Sequence, residues 1–307
     1  VPIDKGQDKE WRVGRDMTLG AKDGELVEGE AIGRRNMGLP QARITAVLGD
    51  PSGPRAVSLI AIHQHGIPDQ FPDAVIGEAD RAEPAGMAGR DDLRDLPLLT
   101  IDPADARDRD DAVYAEHDRE AGNAGGFVVW VAIADVAYYV RPGSALDREA
   151  RKRGNSTYFP DRVVPMLPDI LSGDLCSLHQ HVDRACLAVR MRLDAQGAKI
   201  SHRFVRGIMR SVASLSYEQV QAAVDGNPDD VTEPLLEPVL KPLYAAYAAT
   251  KHARALRQPL DLDLPERKIE LSDSGEVKAV TFKERFDAHR LIEEFMILAN
   301  VAAAEEL

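Results

Sequence analysis

The chain has 307 residues, enough for one large or two ordinary domains, and its 44% hydrophobic content fits a globular protein with a sizeable core. No apolar run approaches a membrane span and no signal peptide opens the sequence, so a cytoplasmic location is expected. The formal net charge of −13 argues against a broadly basic nucleic-acid-binding surface, although Arg141, Arg148, Arg151, Lys152, Arg153 and Arg162 form a local basic stretch.

In chain order, residues 1–65 alternate short apolar runs with Gly, Asp and Pro. Strands are expected at Leu26–Ile32, Ala42–Leu48 and Ala56–Ile62, a pattern that predicts a small β-barrel of the oligonucleotide-binding type. Trp11 is the single aromatic there for stacking a base, so a structural barrel fits as well as one that contacts RNA. Residues 66–94, rich in Pro, Asp, Glu and Gly, read as a linker with a helical piece at Asp73–Arg81. Residues 95–307 then form the second domain.

That domain opens on Leu96-Pro97-Leu98-Leu99-Thr100-Ile101, which breaks into Asp102, Asp105, Asp108, Asp110 and Asp111, five aspartates within ten positions. Two like charges about 4 Å apart repel by roughly 4 kcal/mol at an effective dielectric near 20, so converging carboxylates need a cation or a proton. An acidic surface loop with separately solvated charges is the plainer account. Against it, the run before the cluster and Phe127–Ile133 after it read as buried strands, which puts the aspartates at the mouth of a sheet. Hard carboxylate oxygens there suit magnesium or manganese.

Further on, the spacing predicts a hairpin of Ala112–Glu116 with the Trp130 strand, a short helix at Asp147–Arg153, and a proline-rich segment holding Ser156-Thr157-Tyr158-Phe159-Pro160 and Pro165-Met166-Leu167-Pro168. Tyr158 is either a base-stacking side chain on a functional loop or a core tyrosine. A second hairpin is expected from Ala185–Leu193 through Asp194-Ala195-Gln196-Gly197 to Ile200–Met209. Helices follow from Tyr217 and, longer and interrupted by prolines, over Glu233–Gln258; a third hairpin joins Ile269–Leu271 to Val277–Phe282, and an apolar-striped helix runs from Asp287. On that helix only one of Glu293 and Glu294 can face inward with the stripe. Cys176 and Cys186 are expected to be reduced core thiols.

Three motifs taken together are specific: Thr100-Ile101-Asp102 with Asp105–Ala112, Trp130–Val136, and the Tyr158-Phe159-Pro160, Pro165–Pro168 and Leu175-Cys176-Ser177-Leu178 series. In this order over some two hundred residues they resemble the RNB catalytic domain of the ribonuclease II and ribonuclease R family, its bacterial ribonuclease R branch most of all. Residues 1–63 resemble that family's second cold-shock domain on weaker grounds. The resemblance implies an α+β fold, with a cold-shock barrel ahead of a mixed α+β RNB domain. It also implies a processive 3′-to-5′ exoribonuclease that takes the 3′ end of single-stranded RNA to nucleoside 5′-monophosphates with magnesium. No membrane or obligate protein partner is expected.

By the same resemblance Asp102, Asp108, Asp110 and Asp111 hold the metal, and loss of Asp110 stops chemistry. Two ions clamp the scissile phosphate, one activating the attacking water and the other stabilising the leaving 3′ oxygen. Tyr158 stacks on the terminal base, Tyr217 contacts the RNA end and Glu293 lines the catalytic pocket. Asp105 is outside the family's ligand set and keeps the reading of a solvated carboxylate. Two positions depart from the pattern: Arg109 stands where ribonuclease R usually carries Phe, and a partner aromatic for the base clamp is replaced near Leu262.

Val1 in place of Met, and a final helix without a stop signal, lead to the expectation of a piece of a longer protein that lacks the family's later catalytic segment. Rival chemistries fit less well. A haloacid-dehalogenase-type phosphatase needs an Asp where Ala104 stands, and a calcium loop needs oxygens where Ala104 and Ala106 stand. The rival from another class is an RNA-binding fragment with an inactive site.

Overall fold

The computed structural model describes residues 10–32, 39–51, 53, 56–259 and 265–307. Leu262, the expected substitution in the base clamp, lies outside them. The chain divides into two compact units. One gathers Val1–Phe71, Ala150–Met166 and Glu266–Phe282, and the other Pro72–Glu149, Leu167–Pro265 and Lys283–Leu307.

In the first unit, Leu26–Ile32 pairs antiparallel with Gln41–Gly49, and Arg12–Val13 adds to the far edge of Gln41–Gly49 in parallel. Among the described residues this is a three-stranded sheet and not a closed barrel. The third expected strand is instead a helix, Ala56–Gln64. A seven-residue apolar run without alternation does not distinguish a buried helix from a buried strand, and the Ala, Leu and Gln content here favours the helix. Ser58 on this helix donates from its hydroxyl to Asp161 at 2.8 Å. Asp161 sits in the turn between Thr157–Tyr158 and Val163–Val164, two short strands that pair antiparallel with Tyr158 opposite Val163. Two-residue strands are the most regular structure that Pro160 and Pro165 permit. The Arg267–Leu271 and Val277–Phe282 hairpin completes this unit as expected.

The second unit is built on a five-stranded sheet in the order Asp91–Asp92, Lys199–Arg210, Asp183–Leu193, Phe127–Ala134, Asp111–His117. Its long neighbours are antiparallel. The run Phe127–Ala134 has almost no polar alternation because both faces of its strand are covered. Val129 and Val131 face one cluster, while Val128 and Ala132 are buried on the other side. That cluster takes in Val113, Ala115, Val189, Met191 and Leu193 from the neighbouring strands. Against it lie Leu243, Ala246 and Tyr247 of the Lys241–Leu256 helix and Leu291, Phe295, Ala299 and Ala302 of the Asp287–Glu306 helix. A fully buried side chain such as Phe295 contributes about 1.5–3 kcal/mol by leaving water.

The helix expected over Glu233–Gln258 is interrupted at its prolines as expected, in three pieces: Glu233–Leu235, a wider turn at Leu236–Leu240, and Lys241–Leu256. Pro234, Pro238 and Pro242 remove the donors that a continuous helix needs. The Asp194–Gly197 turn docks on the last of these pieces. Gly197 has φ +84°, and a Cβ there would meet the Ala249 carbonyl oxygen at 2.1 Å, so the turn requires glycine on both counts. Among the described residues no helix is long and apolar enough to cross a membrane. Cys176 and Cys186 are buried free thiols.

Candidate active site

The aspartates are positioned by a small parallel pair beside the main sheet. Thr100–Asp102 pairs with Ser214–Ser216 in a register that sets Asp102 opposite Ser216. Leu98, Leu99, Thr100 and Ile101 are completely or almost completely buried, so the strand is anchored up to the point where Asp102 emerges. From there Pro103 starts a turn, closed by the Ala106 N–H on the Pro103 carbonyl at 3.0 Å, and the chain re-enters the sheet at Asp111 opposite Ile133. The Asp110 carbonyl accepts from the Ala134 N–H at 2.9 Å and so fixes the return.

A second segment clamps the loop from outside. The Ser177 hydroxyl donates to the Arg107 carbonyl at 3.1 Å and accepts from the Arg109 N–H at 3.1 Å, while the Leu178 N–H donates to the Arg109 carbonyl at 2.9 Å. Ser177 is fully buried, and its own carbonyl accepts from Arg184 Nε at 3.0 Å. This bracing role was missed in the sequence. The one signal for it was the Leu175-Cys176-Ser177-Leu178 motif, which carries no chemistry when read alone.

The electrostatics show which carboxylates converge. Asp102 is 8% exposed. Burial pushes its carboxyl up to about 6, with Asp110 and Asp108 adding to the rise and Thr100 and Arg109 opposing it. Asp111 is pushed up to about 7 by burial and then by Asp102 and Asp110. Asp110 is also raised, by the surrounding protein and by Asp108, although its own surface reaches solvent. Asp105 is exposed, in keeping with a solvated loop carboxylate. Asp102, Asp108, Asp110 and Asp111 therefore form one interacting set. Among the described residues no three side chains of this kind close into a ready ligand cage.

The donor chemistry still fits a divalent cation. All four groups are hard oxygen donors, and Asp102 Oδ2 is buried without a hydrogen bond, the arrangement an oxygen-loving ion satisfies.

Tyr217 joins this set. It begins the Tyr217–Val224 helix directly after Ser216, whose hydroxyl accepts from the Gln219 N–H at 3.1 Å while Gln219 Oε1 accepts from the Ser216 N–H at 3.0 Å. This reciprocal cap fixes where the helix begins, next to Asp102. The Tyr217 hydroxyl is raised to about 12 by burial and then by the charges of Asp111 and Asp102. Its ring stacks on His289 with centroids 3.8 Å apart.

Glu293 and Tyr158 are placed elsewhere. Of the adjacent glutamates, Glu294 faces inward, 5% exposed and paired with Arg254, whereas Glu293 is half-buried and paired with Arg285. Both line a cleft of about 310 Å³ with Tyr247, Lys251, Arg254, Arg285 and Arg290. Tyr158 belongs to the first unit and is 65% exposed on its small hairpin, not a core tyrosine.

Comparison with known proteins shows which family the chain resembles. The RNB domain family model matches residues 90–307 and a cold shock domain model matches residues 1–72. Ribonuclease R of Vibrio parahaemolyticus is 40% identical over 312 residues, covering 99% of this chain and 37% of that protein. Ribonuclease R of Escherichia coli K12 is 40% identical over 311 residues, covering 99% of this chain and 38% of the relative. The chain thus spans less than two-fifths of the length of these curated relatives. Among solved structures, Mycoplasma genitalium RNase R in complex with ribose-methylated single-stranded RNA superposes with a TM-score of 0.83 at 27% identity, covering 95% of this chain and 46% of that one.

Proposed function

The chain belongs to the RNB-domain family, and from that premise we propose that it acts as a 3′-to-5′ exoribonuclease of the ribonuclease R type, hydrolysing RNA to nucleoside 5′-monophosphates. One feature supports the reading above all: Asp102 ends a buried strand and Asp111 re-enters the sheet, with Asp108 and Asp110 in the loop between them, and Tyr217 opens the helix that follows Ser216, the residue opposite Asp102.

In this reading residues 1–65 are the cold-shock-like domain, 66–94 the linker and 95–307 the catalytic part, and the protein works in the cytoplasm. The four aspartates would hold magnesium, or manganese in its place. Bound there, the metal supplies Lewis-acid chemistry at the scissile phosphate and its attacking water. The chain's own residues orient the substrate. Tyr217, held by the Ser216 cap and the His289 ring, presents its neutral hydroxyl as a donor to the RNA end beside Asp102 and Asp111. The exposed Tyr158 ring offers a stacking surface for a terminal base. Glu293, paired with Arg285, lines the separate cleft beside Lys251 and Arg290, and its part in the catalytic pocket stays what the family resemblance implies.

The test is incubation of the chain with uniformly labelled single-stranded RNA and magnesium. Release of mononucleotides supports the enzyme. A retarded band with intact RNA favours the second reading, an RNA-binding module without turnover.

A further inference from the structure

The acidic loop carries a cation of its own. Arg109 stands between Asp108 and Asp110, and its Nε lies 3.8 Å from Asp102 Oδ2. Its backbone is held on both sides, N–H on the Ser177 hydroxyl and carbonyl on the Leu178 N–H, so the side chain cannot leave the loop by a shift of the main chain. The two facing atoms, Arg109 Nε and Asp102 Oδ2, are both buried, and neither makes a hydrogen bond. At 3.8 Å the contact is an ion pair and not a hydrogen bond, so this Asp102 oxygen keeps its coordination capacity while its charge is partly answered.

We infer that Arg109 is the chain's own counter-ion for the carboxylate set, standing in at Asp102 when no divalent cation is bound and competing with that cation for it. The inference rests on the metal-nuclease reading of the loop. A guanidinium keeps its charge at any pH the protein tolerates. A cation entering beside Asp102 must therefore work against a fixed positive charge or displace it. The metal affinity is set lower than the carboxylates alone would set it, and the metal-free fold is steadier than four unanswered charges would allow. Once displaced, the planar donor fork of Arg109 stays at the rim of the site, where its geometry matches a phosphate oxygen pair.

The experiment is calorimetric titration of the 307-residue chain with manganese chloride, together with thermal melting in its absence. It compares wild type, Arg109→Met, Arg109→Lys, Asp102→Asn and the Arg109→Met/Asp102→Asn double variant. Arg109→Met is expected to bind manganese about tenfold more tightly and to melt earlier without metal, Arg109→Lys to stay within about threefold of wild type, and the tightening to vanish in the Asp102→Asn background. Should Arg109→Met not fold without metal, Arg109→Gln carries the same expectation.

Saturable binding of equal or lower affinity in the charge-removing variants overturns the role of Arg109 and leaves the metal site standing. Absence of manganese binding in every form, wild type included, overturns the metal reading and this inference with it.

Discussion

Asp102 and Ser216 lie directly opposite each other in the parallel pair, and the same Ser216 caps the helix that Tyr217 begins. One strand register therefore sets Asp102 beside the start of the helix that Tyr217 opens, although the two residues are more than a hundred positions apart in sequence. Removing the cap is expected to loosen this link. Ser216→Ala should cost about 1 kcal/mol of stability and lower the melting temperature by a few degrees. If the register matters to the site, RNA turnover should fall by more than that stability loss explains, measured well below the melting transition.

Asp110→Asn is expected to abolish cleavage while leaving affinity for single-stranded RNA within a few-fold. A carboxylate committed to the metal acts on the transition state and contributes little to ground-state binding. Single-turnover cleavage and filter binding on the same RNA separate the two effects, and an equal loss of both would remove Asp110 from that role.

Tyr158→Ala should change the size of the final product more than the rate at which it forms. A stacked base fixes how far the 3′ end enters, so loss of the exposed ring lets the RNA dissociate earlier and leaves a longer limit oligonucleotide. Gel analysis of end products from a labelled homopolymer reads this directly; an unchanged end product would leave the ring without a role in substrate positioning.

Metal alone should stabilise the fold. Magnesium in the millimolar range is expected to raise the melting temperature of the wild-type chain, because an ion held by the native carboxylate set and not by the unfolded chain shifts the equilibrium by mass action. Asp102→Asn should shrink that shift. A melting temperature indifferent to magnesium, manganese and calcium alike would count against the site.

Asp118 supplies a pH signature away from the aspartate loop. Asn123 donates to it at 2.8 Å, Arg192 at 2.9 Å and the Glu120 N–H at 3.1 Å, joining the turn before Phe127–Ala134 to the Asp183–Leu193 strand. These contacts, the Asn123 hydrogen bond first, hold its carboxyl down at about 2 from an ordinary 3.8. A depressed carboxylate binds fewer protons folded than unfolded, so its contribution is complete above pH 4 and is lost as pH falls toward 2. Urea unfolding of wild type against Asp118→Ala should show a gap of about 1–3 kcal/mol at neutral pH that narrows below pH 4.

Much of the molecule was legible from local pattern. The hairpins, the helix start at Tyr217 and the long final helix follow from periodicity and turn residues that act over a few positions, and they stand where the sequence put them. The aspartate loop was legible because like charges crowded between two buried runs have few physical explanations. Ala56–Gln64 was misread because the period of a short apolar run fits a buried helix and a buried strand equally, and the helix-favouring Ala, Leu and Gln were given no weight against it.

Other features depend on contacts between segments far apart in the chain. Which of Glu293 and Glu294 turns inward was decided by Arg254, forty positions away, which pairs with the buried Glu294. The bracing of the loop by Ser177, the stacking of His289 on Tyr217 and the approach of Arg109 to Asp102 likewise arise from strand register and helix packing. The sequence by itself determined the chemistry available, five carboxylates crowded between buried strands, because charge and hydrophobicity are properties of single residues and their near neighbours. Tertiary structure alone decided which of those groups interact and with what cation, because interaction energies fall with distance through space and not along the chain.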